Sequence, residues 1–191
     1  MGRNILRLAG SLLLAGMLGA CGTVQMGAPQ ASIDNIKLAR SSGMAAVAVG
    51  SFVPAPGKEA SLEGTVTLRA VSLAAPHGSF ADYLKETLAA ELRGAGLLDP
   101  AAKLKIDGVL IERRVDAGIG QGTGALSARF IVRRDGVLRY DRELAVNAEW
   151  ESPFLGAVAI PAAINGFTQL FRSLVARLLA DPEFIAAVKP E

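Results

Sequence analysis

The chain has 191 residues, 51% of them hydrophobic, with one cysteine, one histidine and a formal net charge of +2. Arg3 and Arg7 are the only charged side chains before Cys21, so without that leader the net charge is zero, and the basic bias that would draw nucleic acid disappears with it. One cysteine excludes an internal disulfide, so stability must come from a core, and about 150 residues suffice for a single one.

The N-terminus has the order of a secretory signal: the two arginines, an uncharged run from Leu8 to Leu18, the small residues Gly19 and Ala20, then Cys21. The apolar run is well short of the roughly 20 residues that span a bilayer. The four residues LGAC resemble the lipobox of bacterial lipoproteins. That resemblance implies that residues 1–20 are a cleaved signal peptide, that the Cys21 sulfur carries a diacylglycerol thioether, and that the new amine takes an acyl chain such as palmitate. Two or three chains, at about 0.8 kcal/mol per buried methylene, make attachment effectively permanent. Gly22 stands where an aspartate would favour the inner membrane, which favours the periplasm-facing leaflet of the outer membrane and leaves the inner membrane open. Residues 21–43 are expected to be the lipidated N-terminus and a flexible tether, being rich in Gly, Ala, Ser and Gln with weak periodicity. The globular domain is expected over 44–191.

From residue 44 the hydrophobic period alternates between two and 3.6. MAAVAVGSF (44–52) predicts a buried strand, and TVTLRAVSL (65–73) an alternating second one. Phe80, Leu84, Leu88 and Leu92 then recur at helical spacing, with Ser79 placed to cap the helix and Gly94 and Gly96 to stop it. LKIDGVLIERRVDAG (104–118) changes phase at Gly108, as a strand with a bulge there would. GIGQGTGA (118–125) lacks the lysine of a phosphate loop and joins two strands, which predicts a flexible hairpin loop. Leu126, Ala128, Phe130 and Val132 share one face, and Asp135-Gly136 predicts a two-residue hairpin. Beyond it Leu138, Tyr140, Leu144, Val146, Ala148 and Trp150 continue one face. Pro161 reads as the start of a helix carrying Ile164, Phe167, Phe171, Leu174 and Leu178, and Asp181-Pro182 as the start of a short last one. The order β-β-α-β-β-β-α implies an α+β fold: a two-layer sandwich with an antiparallel or mixed sheet of about five strands and two helices on one face.

The strings GSFADYLKETLAAELRGAGLLDP, ARFIVRRDGVLRYDRE and EWESPFLGAVAIPAAINGF resemble a family of small, largely uncharacterised proteobacterial envelope lipoproteins. Their architecture is in turn similar, more loosely, to the lipopolysaccharide-assembly lipoprotein and to auxiliary lipoproteins of envelope transport systems. The resemblance implies no catalytic residues.

Catalytic machinery is not legible either. His77 stands in AAPHGSF, a turn before a helix, without a neighbour to orient it as a base. No serine lies in a G-x-S-x-G frame; one histidine and scattered carboxylates do not make a transition-metal site. The expectation is a non-enzyme with no cofactor. Two candidate surfaces remain. Trp150, Phe154 and Leu155 lie in and beside the connection between the last strand and the last long helix, where aromatics could anchor a partner; the competing expectation is that Trp150 and Phe154 close the core. Arg129, Arg133 and Arg139 could form a cationic strip for lipid phosphates or anionic glycan, with Asp135, Asp141 and Glu143 interleaved as charge partners. The first surface fits a non-catalytic adaptor in envelope assembly or transport with a protein partner; the second fits a binder of a lipidic or anionic glycan ligand.

Overall fold

The computed structural model describes residues 22–190, so the leader and the lipidation site expected at Cys21 lie outside the described residues. In chain order the elements are β1 (Thr23–Gln25), α1 (Ile33–Ser41), β2 (Ala48–Pro54), α2 (Glu59–Leu62), β3 (Thr65–Leu68), β4 (Val71–Ala74), a 3-10 turn (Pro76–Gly78), α3 (Phe80–Ala95), β5 (Leu104–Asp116), β6 (Gly120–Arg134), β7 (Val137–Ser152), α4 (Gly156–Leu179) and α5 (Pro182–Ala187). The strands form a four-stranded sheet in the order β2-β5-β6-β7 and a three-stranded sheet in the order β1-β4-β3. β2 runs parallel to β5, and the other pairs of the larger sheet are antiparallel. The fold is an α+β sandwich, with α3 and α4 packed on the larger sheet.

The α3 helix forms where the periodicity places it. Ser79 Oγ accepts from the Asp82 amide at 3.0 Å, Gly96 takes the left-handed conformation at φ 77°, and Phe80, Leu84, Leu88 and Leu92 are fully buried. A second cap comes from far away in sequence: the Glu63 carboxylate accepts from the Phe80 amide at 2.9 Å and places negative charge at the positive end of the helix. Phe167 and Phe171 of α4 meet Phe80 and Tyr83 of α3 in an aromatic cluster, with the Tyr83 and Phe171 rings 4.9 Å apart. The Asp135-Gly136 hairpin is present, both residues having positive φ (49° and 81°) as a type I′ turn requires.

Five expectations are corrected. The segment 22–43 is no free tether: β1 pairs in parallel with β4, and α1 packs on α3, capped by Ser32 and burying Asn35 and Ala39. Its buried side chains are too few and too polar to register as a hydrophobic period. TVTLRAVSL is a hairpin and not one strand, because Arg69 adopts φ 56° and reverses the chain without a glycine or proline. Gly108 does not change the phase of β5. Leu104, Ile106, Gly108 and Leu110 stay on the core face, where a Cβ on Gly108 would lie 2.3 Å from the Phe52 ring; the register shifts two residues later, between Leu110 and Glu112. The glycine run belongs to β6 from Gly120 onwards, leaving only Ala117, Gly118 and Ile119 as the turn. The long helix starts at Gly156, with Pro161 inside it. Pro161 and Ala157 are both exposed, so water can satisfy the Ala157 carbonyl that the missing N–H leaves free.

Candidate functional site

One end of the larger sheet gathers the β5–β6 turn, the end of β7 and the start of α4. The exposed apolar side chains there are Ile119 (71%), Phe154 (77%), Leu155 (66%) and Val158 (53%). The expectation that Phe154 closes the core is overturned; its side chain stands in solvent. Beside it Thr67, Arg69, Asp116, Ala117, Gly118, Ile119 and Phe154 line a cleft of about 480 Å³.

Arg69 holds this end together. Its Nε donates to the Ala117 carbonyl at 2.8 Å, Nη1 to the Phe154 carbonyl at 2.9 Å, and Nη2 to the Pro153 carbonyl at 2.8 Å and Ser152 Oγ at 3.0 Å. Longer contacts reach the carbonyls of Gly118 and Ser152. One planar fork of five donors therefore fastens two loops that are far apart in sequence. These bonds also explain how a non-glycine residue is kept at positive φ, a conformation that costs of order 1–3 kcal/mol and persists only where its surroundings enforce it. Sequence reasoning missed Arg69, which looks like one polar residue in an alternating run.

Trp150 does not belong to the exposed set. The indole is half-buried between β6 and α4, packed against the core and seated on three glycines. A Cβ on Gly122 would lie 2.1 Å from its Nε1, one on Gly166 2.5 Å from its Cε3, and one on Gly124 3.3 Å from its ring. The every-second-residue spacing of Gly122 and Gly124, read in the sequence as loop flexibility, is the strand period: both glycines face inward to admit a large ring. The buried Nε1 has no hydrogen-bond partner among the described residues.

The arginine strip is divided by the register of the sheet. Arg129 makes a two-pronged pair with Asp141, Nε to Oδ1 at 2.5 Å and Nη2 to Oδ2 at 2.6 Å, and this bonding holds the Asp141 carboxyl below its ordinary pKa. Arg133 donates to Asp107 at 3.4 Å, and Lys105 contacts the same carboxylate at 3.5 Å. Arg139 lies opposite the register shift between Val132 and Arg133 and lines a separate cleft with Arg134, Glu183 and Lys189. Arg113, one of the basic residues of this region, turns the other way after the Ile111 shift. Its guanidinium lies 4.3 Å over the Phe80 ring, Nη2 donates to the Ser61 carbonyl, and burial pulls its pKa down.

A fully buried carboxylate fastens the N-terminal segment. Glu91 of α3 accepts from the Ser32 amide at 2.8 Å and from Asn35 Nδ2 at 3.0 Å; the same Nδ2 donates to the Arg172 carbonyl of α4. Burial raises the Glu91 pKa above the ordinary 4.5, against the opposing pull of the two hydrogen bonds and the Arg172 charge. An acid whose folded pKa is raised contributes stability that is complete below the unfolded value and is lost as pH rises through the folded one. Melting temperatures of the wild type should therefore carry a downward component as pH rises from about 4.5, and Glu91→Gln, which cannot titrate, should lack it. A slope that survives the substitution would contradict the assignment.

His77 is exposed on the 3-10 turn, and among the described residues no group of three His, Cys, Asp or Glu side chains is placed to hold a metal ion. No described helix is long and apolar enough to cross a membrane.

No family model matches the chain, and no curated protein matches it. Among solved structures, a protein of Xanthomonas campestris described by the family name DUF330 aligns with a TM-score of 0.54 at 13% identity, over 83% of this chain and 94% of that one. The two share a fold. A hypothetical protein of Chlamydia trachomatis aligns at 0.45 and 14% identity, over 75% and 99%. A minor lipoprotein of Acinetobacter baumannii aligns at 0.37 and 11% identity, over 70% and 91%.

Proposed function

We propose that the protein is a lipid-anchored lipoprotein of the bacterial envelope, facing the periplasm from the outer membrane, and that it acts as a non-catalytic adaptor in envelope assembly or transport. The signal grammar and the LGAC motif at Cys21 support the anchor. The observation that carries a non-catalytic contact role is the end of the sheet, where Arg69 fixes two loops so that Ile119, Phe154 and Leu155 stand in solvent. An apolar surface held rigid in this way is built for contact, and its rigidity lowers the ordering cost of making one. The ligand-binding alternative draws less support, since Arg129 and Arg133 already meet Asp141 and Asp107.

Cys21→Ser should yield an unprocessed or soluble form, while the wild type enters the detergent phase of an extraction with the added mass of acyl chains. Pull-down of the wild type from crosslinked membranes should recover one protein reproducibly. Wild-type protein without acyl mass defeats the anchor; an acylated protein that enriches no protein defeats the adaptor role.

A further inference from the structure

The start of β1, the first described strand, lies at the same end of the molecule as the exposed apolar side chains. Only Gly22 separates Cys21 from β1, whose first residue, Thr23, is in register with Ser72. β1 runs parallel to β4, so its beginning lies beside the beginning of β4, next to the Arg69-Ala70 turn. Arg69 is the residue whose guanidinium grips the loops carrying Ile119 and Phe154. Two chain steps of at most ~3.6 Å each, from Cys21 to Thr23, leave the anchor no slack to place this end elsewhere.

We infer that this end is a foot seated on the bilayer: Ile119, Phe154 and Leu155, with Val158 on the first turn of α4, enter the lipid headgroup region beside the acylated Cys21. The inference rests on the lipoprotein reading above and specifies what the apolar end touches, which is lipid. Three properties of the surface suit lipid. Its side chains are aliphatic and aromatic, which favour the interface between headgroups and acyl chains. Its loop carbonyls at Ala117, Pro153 and Phe154 are already engaged by Arg69, so less backbone polarity has to be desolvated on entry. Its approach is enforced by a covalent anchor just before β1, so insertion is an intramolecular step at high effective concentration. The β6–β7 hairpin, with exposed Val137 and Leu138, lies at the opposite end of a 15-residue strand, roughly 45 Å away at about 3.3 Å per residue, and points from the membrane.

The test uses the full, acylated protein reconstituted into vesicles of phosphatidylethanolamine and phosphatidylglycerol whose acyl chains are brominated near the headgroup. In a Trp150→Phe background a single indole is placed by Phe154→Trp or by Leu138→Trp. At a depth of ~5–10 Å, emission from position 154 should fall about twofold on brominated lipid, while position 138 is unaffected. Should the Trp150→Phe background fail to fold, a nitroxide on Phe154→Cys serves instead, the acylated Cys21 leaving that thiol alone to react. It should be relaxed more by oxygen than by a water-soluble nickel complex, and the label on Leu138→Cys the reverse. Equal quenching or equal accessibility at the two positions overturns the foot, as does a discrete protein adduct, in place of lipid, from a photo-crosslinker at 154 in cells. Vesicles that retain no protein because Cys21 is not acylated overturn the lipoprotein reading itself.

Discussion

Phe171→Ala is expected to lower the free energy of unfolding by about 3–5 kcal/mol, measured by denaturant titration. Phe171 is fully buried at the seam between the two long helices: its ring lies 4.9 Å from Tyr83, 5.3 Å from Phe167 and 6.4 Å from Phe80. Truncation removes the transfer energy of the ring and leaves a cavity walled by three other aromatics, whose fixed shapes collapse poorly. A domain of this size is stable by only about 5–15 kcal/mol, so the variant should be at the edge of folding at growth temperature. A loss below about 1 kcal/mol would mean that α3 and α4 do not share this core. Phe154→Ala supplies the contrast. With its side chain 77% exposed, its loss should stay within about 0.5 kcal/mol, although the residue type is the same.

Gly122→Val should cost about 1–3 kcal/mol, although valine is the better strand former, because it overpacks a fitted site. A Cβ at position 122 would sit 2.1 Å from Trp150 Nε1 and 2.5 Å from Cε2. The indole has little room to retreat into the fold, since even a Cβ on Gly166 of α4 would lie only 2.5 Å from its Cε3. It must swing outward into water, so the emission of the only tryptophan should shift to the red. In a Trp150→Ala background the same glycine substitution should cost little, because the ring it strikes is gone. Additive losses in that cycle would show that Gly122 is needed for a reason other than Trp150.

The sequence alone determines what short-range physical chemistry controls. Helical spacing and the Ser79 cap locate α3, the Asp135-Gly136 pair places the hairpin, and alternation along β6 and β7 gives an α+β sandwich, because each signal is complete within a few residues. The lipidation expected at Cys21 rests on an equally local string, LGAC. Tertiary structure decided the rest. Arg69 keeps a strained turn because its acceptors lie 48 to 85 residues away, and no window around it predicts that. The segment 22–43 is ordered because β1 pairs with β4 and the Glu91 carboxyl, 56 residues beyond Asn35, accepts a hydrogen bond from it. The glycines of β6 look like a loop until Trp150, brought opposite Gly122 by the sheet register, shows that small residues were needed to make room. Whether Phe154 faces the core or the solvent was undecidable from its residue type. Burial is a property of what the neighbouring elements cover, and here α4 begins at Gly156, five residues before its proline, which turns Phe154 and Leu155 outward.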